Sequence, residues 1–189
     1  VTVPTKVHAQ RWGIKKYEIV HSPIDTTKFK PLGQNGMKKK YGYERKKIIL
    51  YYGALWQNKG VDNLLRAMPE IIEREKNVLL LILPRYAHIK PQQELTKQLH
   101  LEDNVQFITE NVAIEEYVNL ADVVALPYLN LLGTEGNPSC MLEAMACKTP
   151  VITSDLPELR EIAEEIVEFV KAGNVQELAG KIVGILKQK

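Results

Sequence analysis

Five short apolar runs recur along the chain with amphipathic segments between them, and that alternation limits the available folds more than any other feature. The runs are Ile48 to Tyr52, Val78 to Leu83, Val105 to Ile108, Val123 to Leu126 and Val151 to Thr153. Each has the length of a buried strand and lacks a polar face, so each reads as a strand covered above and below. Helical spacing falls at about 61 to 75, 91 to 100, 113 to 120 and 138 to 147, then near 156 to 165 and 174 to 187. Strand and helix in alternation predict an α/β fold, a doubly wound, Rossmann-like parallel sheet with helices on both faces.

The chain before residue 48 follows a different pattern. Glu18 to His21 reads as a strand, Ser22-Pro23-Ile24-Asp25 as a turn, and Lys30 to Gly36 as a helix-poor stretch rich in Gly and Pro. We take 1–35 as an entry segment from a missing N-terminal half and 36–189 as the sheet domain. The total of 189 residues fits one domain of about 100 to 200 residues. Val1 in place of an initiator methionine fits a piece of a longer protein.

With 25 basic and 23 acidic side chains the formal charge is +2, which implies no nucleic-acid partner. The basic cluster Lys38-Lys39-Lys40 with Arg45-Lys46-Lys47 reads as a solvated loop between two elements, or as a peripheral contact for acidic lipid head groups. Cys140 and Cys147 fall on one predicted helix with Cα atoms roughly 10 Å apart at 1.5 Å rise per residue. They cannot bridge each other, and no basic partner marks either as a nucleophile. This usage fits a reduced, cytoplasmic setting, at the membrane face if the basic cluster meets lipid. His8, His21, His88 and His100 lack metal-ligand spacing. No apolar run approaches the ~20 residues of a membrane span, and we read no signal peptide.

Open parallel sheets bind ligands beyond the carboxyl ends of their strands. That rule selects the loop Gly53-Ala54-Leu55-Trp56-Gln57-Asn58-Lys59-Gly60 and the loop 127–137, which contains Glu135. A lysine beside a helix amino end suits a phosphate, and a carboxylate suits sugar or ribose hydroxyls. A nucleotide diphosphate sugar carries both groups.

Asn137 reads as a helix N-cap with Pro138 as first helical residue, which puts Glu135 just outside that helix and Glu143 inside it. At about 100° per residue, Met141, Leu142, Ala144 and Met145 share one side, and Glu143 lies opposite with Ser139, Ala146 and Cys147. The same spacing suits a plain solvent-facing stripe. Trp56 is expected to pack on the following helix or to stack on a base, and His21 to serve as a strand-end hydrogen-bond partner.

Taken together, these stretches resemble the C-terminal, donor-binding half of family 4 retaining glycosyltransferases, whose GT-B fold sets two Rossmann-like domains face to face. Ser22 through Pro31 looks like the entry into that half, Gly53 through Gly60 like its Gly-Arg-Leu…Lys-Gly loop, and Ala121 through Pro127 like its Ala-Asp-Val…Leu-Pro strand. Glu135 and Glu143 reproduce its Glu-x7-Glu spacing, and Leu142 through Ile152 is the most specific piece. The resemblance implies that Glu135 contacts the transferred hexose, Glu143 the ribose hydroxyls and Lys59 the diphosphate, with Gly53, Gly136 and Asn137 also at the donor. It also implies retention of configuration, no metal and no cofactor beyond the sugar nucleotide substrate. Acceptor binding falls to the missing N-terminal domain, so this piece alone is expected to be inactive.

Three positions depart from the family pattern. Ala54 stands where the family has arginine, with Arg85 a candidate substitute. Leu83-Pro84-Arg85-Tyr86 replaces a glycine-rich turn, and Gly136-Asn137-Pro138 replaces Gly-Phe-Gly. A non-catalytic glycosyltransferase-like association module is the alternative these departures favour. A dinucleotide-binding oxidoreductase domain lacks its Gly-x-Gly-x-x-Gly after the first strand.

Overall fold

The apolar runs form the strands of one parallel sheet, beginning with β3 (Lys47–Gly53), β4 (Val78–Pro84), β5 (Val105–Phe107), β6 (Val123–Leu126) and β7 (Val151–Ser154). A sixth strand, β8 (Glu168–Val170), completes it in the order β5-β4-β3-β6-β7-β8. The computed structural model describes residues 1–86, 88–132, 138–163 and 166–188. Every strand pair is parallel, with Ile49 opposite Val123 and Gly53 opposite Pro84. From β3 the chain adds strands outward to β5, then returns to place β6 on the other side of β3. The carboxyl ends of β3 and β6 therefore flank the crevice where the winding reverses.

Amphipathic helices cover the sheet. On α3 (Val61–Arg74), Val61, Leu64, Leu65, Met68 and Ile71 recur at helical spacing and are all buried. Each such side chain contributes roughly 1.5–3 kcal/mol on leaving water. The facing helix α8 (Val175–Lys187) buries Leu178, Ile182, Val183 and Leu186, and Asn174 caps it by accepting from the Glu177 N–H. The remaining helices are α4 (Lys90–Gln98), α5 (Ile114–Leu120), α6 (Ser139–Ala146) and α7 (Pro157–Ala163). Among the described residues no helix is long and apolar enough to cross a membrane.

The largest departure from expectation is α2 (Gln34–Tyr41). The helix-poor reading of Lys30 to Gly36 and the solvated-loop reading of Lys38-Lys39-Lys40 both give way to this helix. Gly33 at φ +85° and Gly42 at φ +76° mark its ends, while Gly36 inside it weakens the local helical signal. Tertiary contacts supply what propensity lacks. The Tyr41 ring lies 4.7 Å from that of Tyr117 on α5, and Lys38 is buried with its Nζ 2.6 Å from the Asp122 carboxylate. That carboxylate also accepts from the Ile48 N–H at 2.6 Å and from Gln34 Nε2 at 3.1 Å. The network closes the amino end of the sheet. α2 also straddles the expected boundary at 35/36.

The entry segment holds more structure than a strand and a turn. β1 (Thr2–Val3) pairs in parallel with β2 (Glu18–Ile19) across α1 (Lys6–Arg11), whose cap Thr5 accepts from the His8 N–H. Glu161 of α7 takes the first two N–H groups of α1, and Arg11 pairs with the buried Glu158. The turn expected at Ser22 to Asp25 falls later, at Thr26 to Lys28, where Asp25 accepts from the Thr27 and Lys28 N–H groups.

Candidate functional site

At the carboxyl edge of β3, β4, β5 and β6 the loops enclose a cleft of about 790 Å³. Its floor is aromatic. Tyr51 and Tyr52 end β3, and Tyr128 follows β6. All are buried, and burial raises each phenol well above the ordinary tyrosine range. The Tyr52 hydroxyl donates to the Cys140 carbonyl oxygen at 2.6 Å, and the Tyr128 hydroxyl lies 3.1 Å from Cys140 Sγ. Sequence reasoning missed these rings. The available signal was two tyrosines ending an otherwise aliphatic strand, on the rule that ligands sit beyond strand carboxyl ends.

The loop after β3 carries Lys59 into this cleft as the last residue of a single 3-10 turn, Gln57–Lys59. Its Nζ lies 4.9 Å from the Tyr128 ring centroid. Gly60 ends the turn at φ +72°, and a Cβ there would stand 1.8 Å from the Pro127 carbonyl oxygen, so glycine alone permits this approach. The Asn58 carbonyl accepts from the Leu129 N–H at 2.8 Å, and Asn58 Nδ2 donates to the Leu132 carbonyl at 3.0 Å. The two loops selected from the sequence are thus fastened together. Gly53, at φ +134°, takes the Arg85 N–H on its carbonyl at 2.9 Å.

Glu143 reaches the same cleft from α6 and is only half-buried. Burial raises its carboxyl above the usual carboxylate range, opposed by the polar Tyr52 hydroxyl nearby and by the charge of Lys28. The helix starts one residue later than expected. Pro138 is extended at ψ 116°, and its carbonyl receives the Met141 and Leu142 N–H groups, so it serves as the cap. The buried face also differs from expectation. Met141, Ala144 and Cys147 turn inward, while Leu142 and Met145 are only partly buried, because α6 rests on β6, β7 and α5 together. Cys147 meets Asn119 Nδ2 at 3.4 Å and so leaves the Glu143 side.

Gly53, Lys59 and Glu143 therefore line one cleft, with Pro138, Ser139 and Cys140 at the amino end of α6 forming part of its wall. Glu135, Gly136 and Asn137 lie outside the described residues. His21 is exposed and does not line the cleft. Trp56 is 53% exposed and stacks on Tyr86, with centroids 6.0 Å apart and planes 15° apart, instead of being buried against α3. Burial pushes the Cys140 thiol up, which suits a packing residue better than a nucleophile. Among the described residues no group of three or more His, Cys, Asp or Glu could hold a metal ion. A cation and an acceptor-only carboxylate in one cleft can hold an anion and a pair of hydroxyls together.

Residues 34–189 match the family described as Glycosyl transferases group 1. The chain belongs to that family. A GDP-mannose-dependent alpha-(1-6)-phosphatidylinositol monomannoside mannosyltransferase of Mycolicibacterium smegmatis is 30% identical over 68% of this chain and 36% of its own length. N-acetyl-alpha-D-glucosaminyl L-malate synthase of Bacillus anthracis is 26% identical over 93% of this chain and 45% of its own. This group 1 chain thus spans less than half the length of these relatives.

Among solved structures, Anabaena HepE in complex with UDP-glucose superposes with a TM-score of 0.86 at 18% identity, covering 100% of this chain and 54% of that one. The C-terminal domain of a group 1 family protein from Francisella tularensis gives 0.72 at 20%, covering 87% and 88%. These likenesses establish the fold of a GT-B glycosyltransferase domain for this group 1 member.

Proposed function

We propose that this chain is the donor-binding half of a retaining glycosyltransferase, taking a nucleotide diphosphate sugar and passing its hexose to an acceptor held by an N-terminal domain. One observation carries the reading. Lys59 and Glu143, distant in sequence and opposite in charge, line a single cleft at the sheet's winding reversal. Lys59 binds the diphosphate and Glu143 the ribose hydroxyls. To Glu135 we assign the transferred sugar, with Gly136 and Asn137 also at the donor and Gly53 at the phosphate end. Negative charge grows on the diphosphate as it departs, so a fixed ammonium is worth more in the transition state than in the ground state. UDP-glucose in the Anabaena neighbour supports a sugar nucleotide of this class.

Transfer needs both domains closed on the substrates to exclude water, so this chain alone binds without turnover. The exposed Lys39, Lys40 and Arg45 supply a peripheral contact for acidic lipid, in which the buried Lys38 takes no part. A second reading, an association module without catalysis, draws on Ala54, whose buried methyl lines the cleft and gives a phosphate no side-chain donor.

Calorimetric titration of the chain with UDP, GDP, ADP and their sugar conjugates separates the two readings. The wild type is expected to bind one nucleotide clearly best. Lys59→Ala should weaken that affinity by about tenfold or more, the worth of a charge-assisted hydrogen bond. Glu143→Gln should weaken the nucleotide as well. Binding of none by the wild type sinks the donor reading in favour of the association module, and undiminished binding by Glu143→Gln removes its ribose role.

A further inference from the structure

Two cations line the cleft among the described residues, Lys59 and Arg85. Arg85 follows Pro84, which pairs in register with Gly53, and its N–H donates to the Gly53 carbonyl. Arg85 and Ala54 are the residues that follow this last register pair at the carboxyl ends of the two strands. Its side chain is exposed and has no carboxylate partner among the described residues. The guanidinium carbon lies 5.7 Å from the Tyr86 ring centroid, and Tyr86 in turn stacks on Trp56. A cation over a ring face is held in place while its N–H donors stay available to an anion. Both rings are about half exposed and line the cleft, so the stack sits at its rim.

We propose that Arg85 is the second cation of the donor site and binds the diphosphate together with Lys59, with Tyr86 and Trp56 as the aromatic support that positions it. This rests on the donor-binding reading above. A diphosphate carries more negative charge than one ammonium balances, and a guanidinium fork takes two phosphate oxygens at once. Ala54 leaves the strand end without a cation of its own, and the neighbouring strand supplies one.

The test titrates the whole chain with whichever of UDP, GDP and ADP it binds most tightly, and with the matching nucleoside. Arg85→Ala is expected to weaken the diphosphate by about 10- to 100-fold and to leave nucleoside affinity unchanged. Arg85→Lys keeps the charge, loses the fork and is expected to fall between wild type and Arg85→Ala. Because the side chain is exposed, thermal unfolding of both variants should match wild type; if Arg85→Ala fails to fold, Arg85→Lys decides. Wild-type diphosphate affinity in Arg85→Ala, or equal loss of nucleoside and diphosphate, overturns the proposal. If Lys59→Ala still weakens the diphosphate in that case, the donor-site reading stands without Arg85. A wild-type chain that binds none of the nucleotides overturns both.

Discussion

Both ends of the central sheet carry a lysine and a carboxylate, and the two ends use the same chemistry in opposite ways. At the amino end Lys38 meets Asp122 at 2.6 Å with side chains 11% and 3% exposed, and Gln34, Ile48 and Lys46 satisfy the remaining donors and acceptors. At the carboxyl end Lys59 and Glu143 line an open cleft, and the Glu143 carboxyl is raised by burial because nearby groups compensate it only in part. A buried charge that is fully paired fixes structure. A carboxyl perturbed by partial burial at the wall of a cleft is a usual mark of a site.

The comparison breaks first at Asp122. Asp122→Ala leaves Lys38 buried without its counter-charge and the Ile48 N–H without an acceptor, and is expected to destabilise by about 3–5 kcal/mol in urea denaturation. Lys59→Ala, by contrast, removes a half-buried side chain at the cleft and should cost clearly less in the same denaturation, about 1 kcal/mol. A comparable loss of stability in both variants would show that the two ends are not used differently.

Gly60→Ala tests how strictly the carboxyl end is built. A left-handed backbone costs a non-glycine residue about 1–2 kcal/mol, before the overlap with the Pro127 carbonyl is counted. The expected result is a lower melting temperature together with weaker diphosphate binding, since relieving the overlap displaces Lys59. A variant with unchanged affinity would detach Lys59 placement from the glycine.

A smaller effect concerns Glu143 and pH. Its folded pKa is raised, so the folded state holds the proton more tightly than the unfolded chain does. Stability from this group is therefore highest where both states are protonated and falls as pH rises from the ordinary glutamate value through the raised folded value. Glu143→Gln should be modestly more stable than wild type at neutral pH, with the advantage vanishing below the ordinary glutamate range, even though it binds nucleotide less well. Denaturation curves at several pH values would show this, and a pH-independent difference would refute it. The smallest effect is expected at the surface pair Lys40–Glu116, where the lysine is 53% exposed. Lys40→Ala should shift stability by no more than about 1 kcal/mol.

Much of the fold was legible because its signals are local. The strands at Lys47–Gly53, Val78–Pro84 and Val123–Leu126 declare themselves as apolar runs, and α3 declares itself by its 3.6-residue spacing. The β8 strand, Glu168–Val170, is too short and too mixed to register, and α2 is obscured by Gly33 and Gly36. The site was legible in part. Gly53 and Lys59 follow from loop position at a strand carboxyl end and Glu143 from the Glu-x7-Glu resemblance, whereas the Trp56–Tyr86–Arg85 stack has no such signal.

The sequence by itself determined the order of elements, the parallel sheet and the edge at which the cleft opens, because periodicity and strand-to-helix loops depend on near neighbours in the chain. The tertiary structure alone decided that Lys38 is buried and Lys59 is not, that α6 turns Met141, Ala144 and Cys147 inward, and that Arg85 shares a cleft with Lys59. Those outcomes depend on which distant elements cover a side chain and leave it paired or facing the cleft, and no spacing along the chain encodes that.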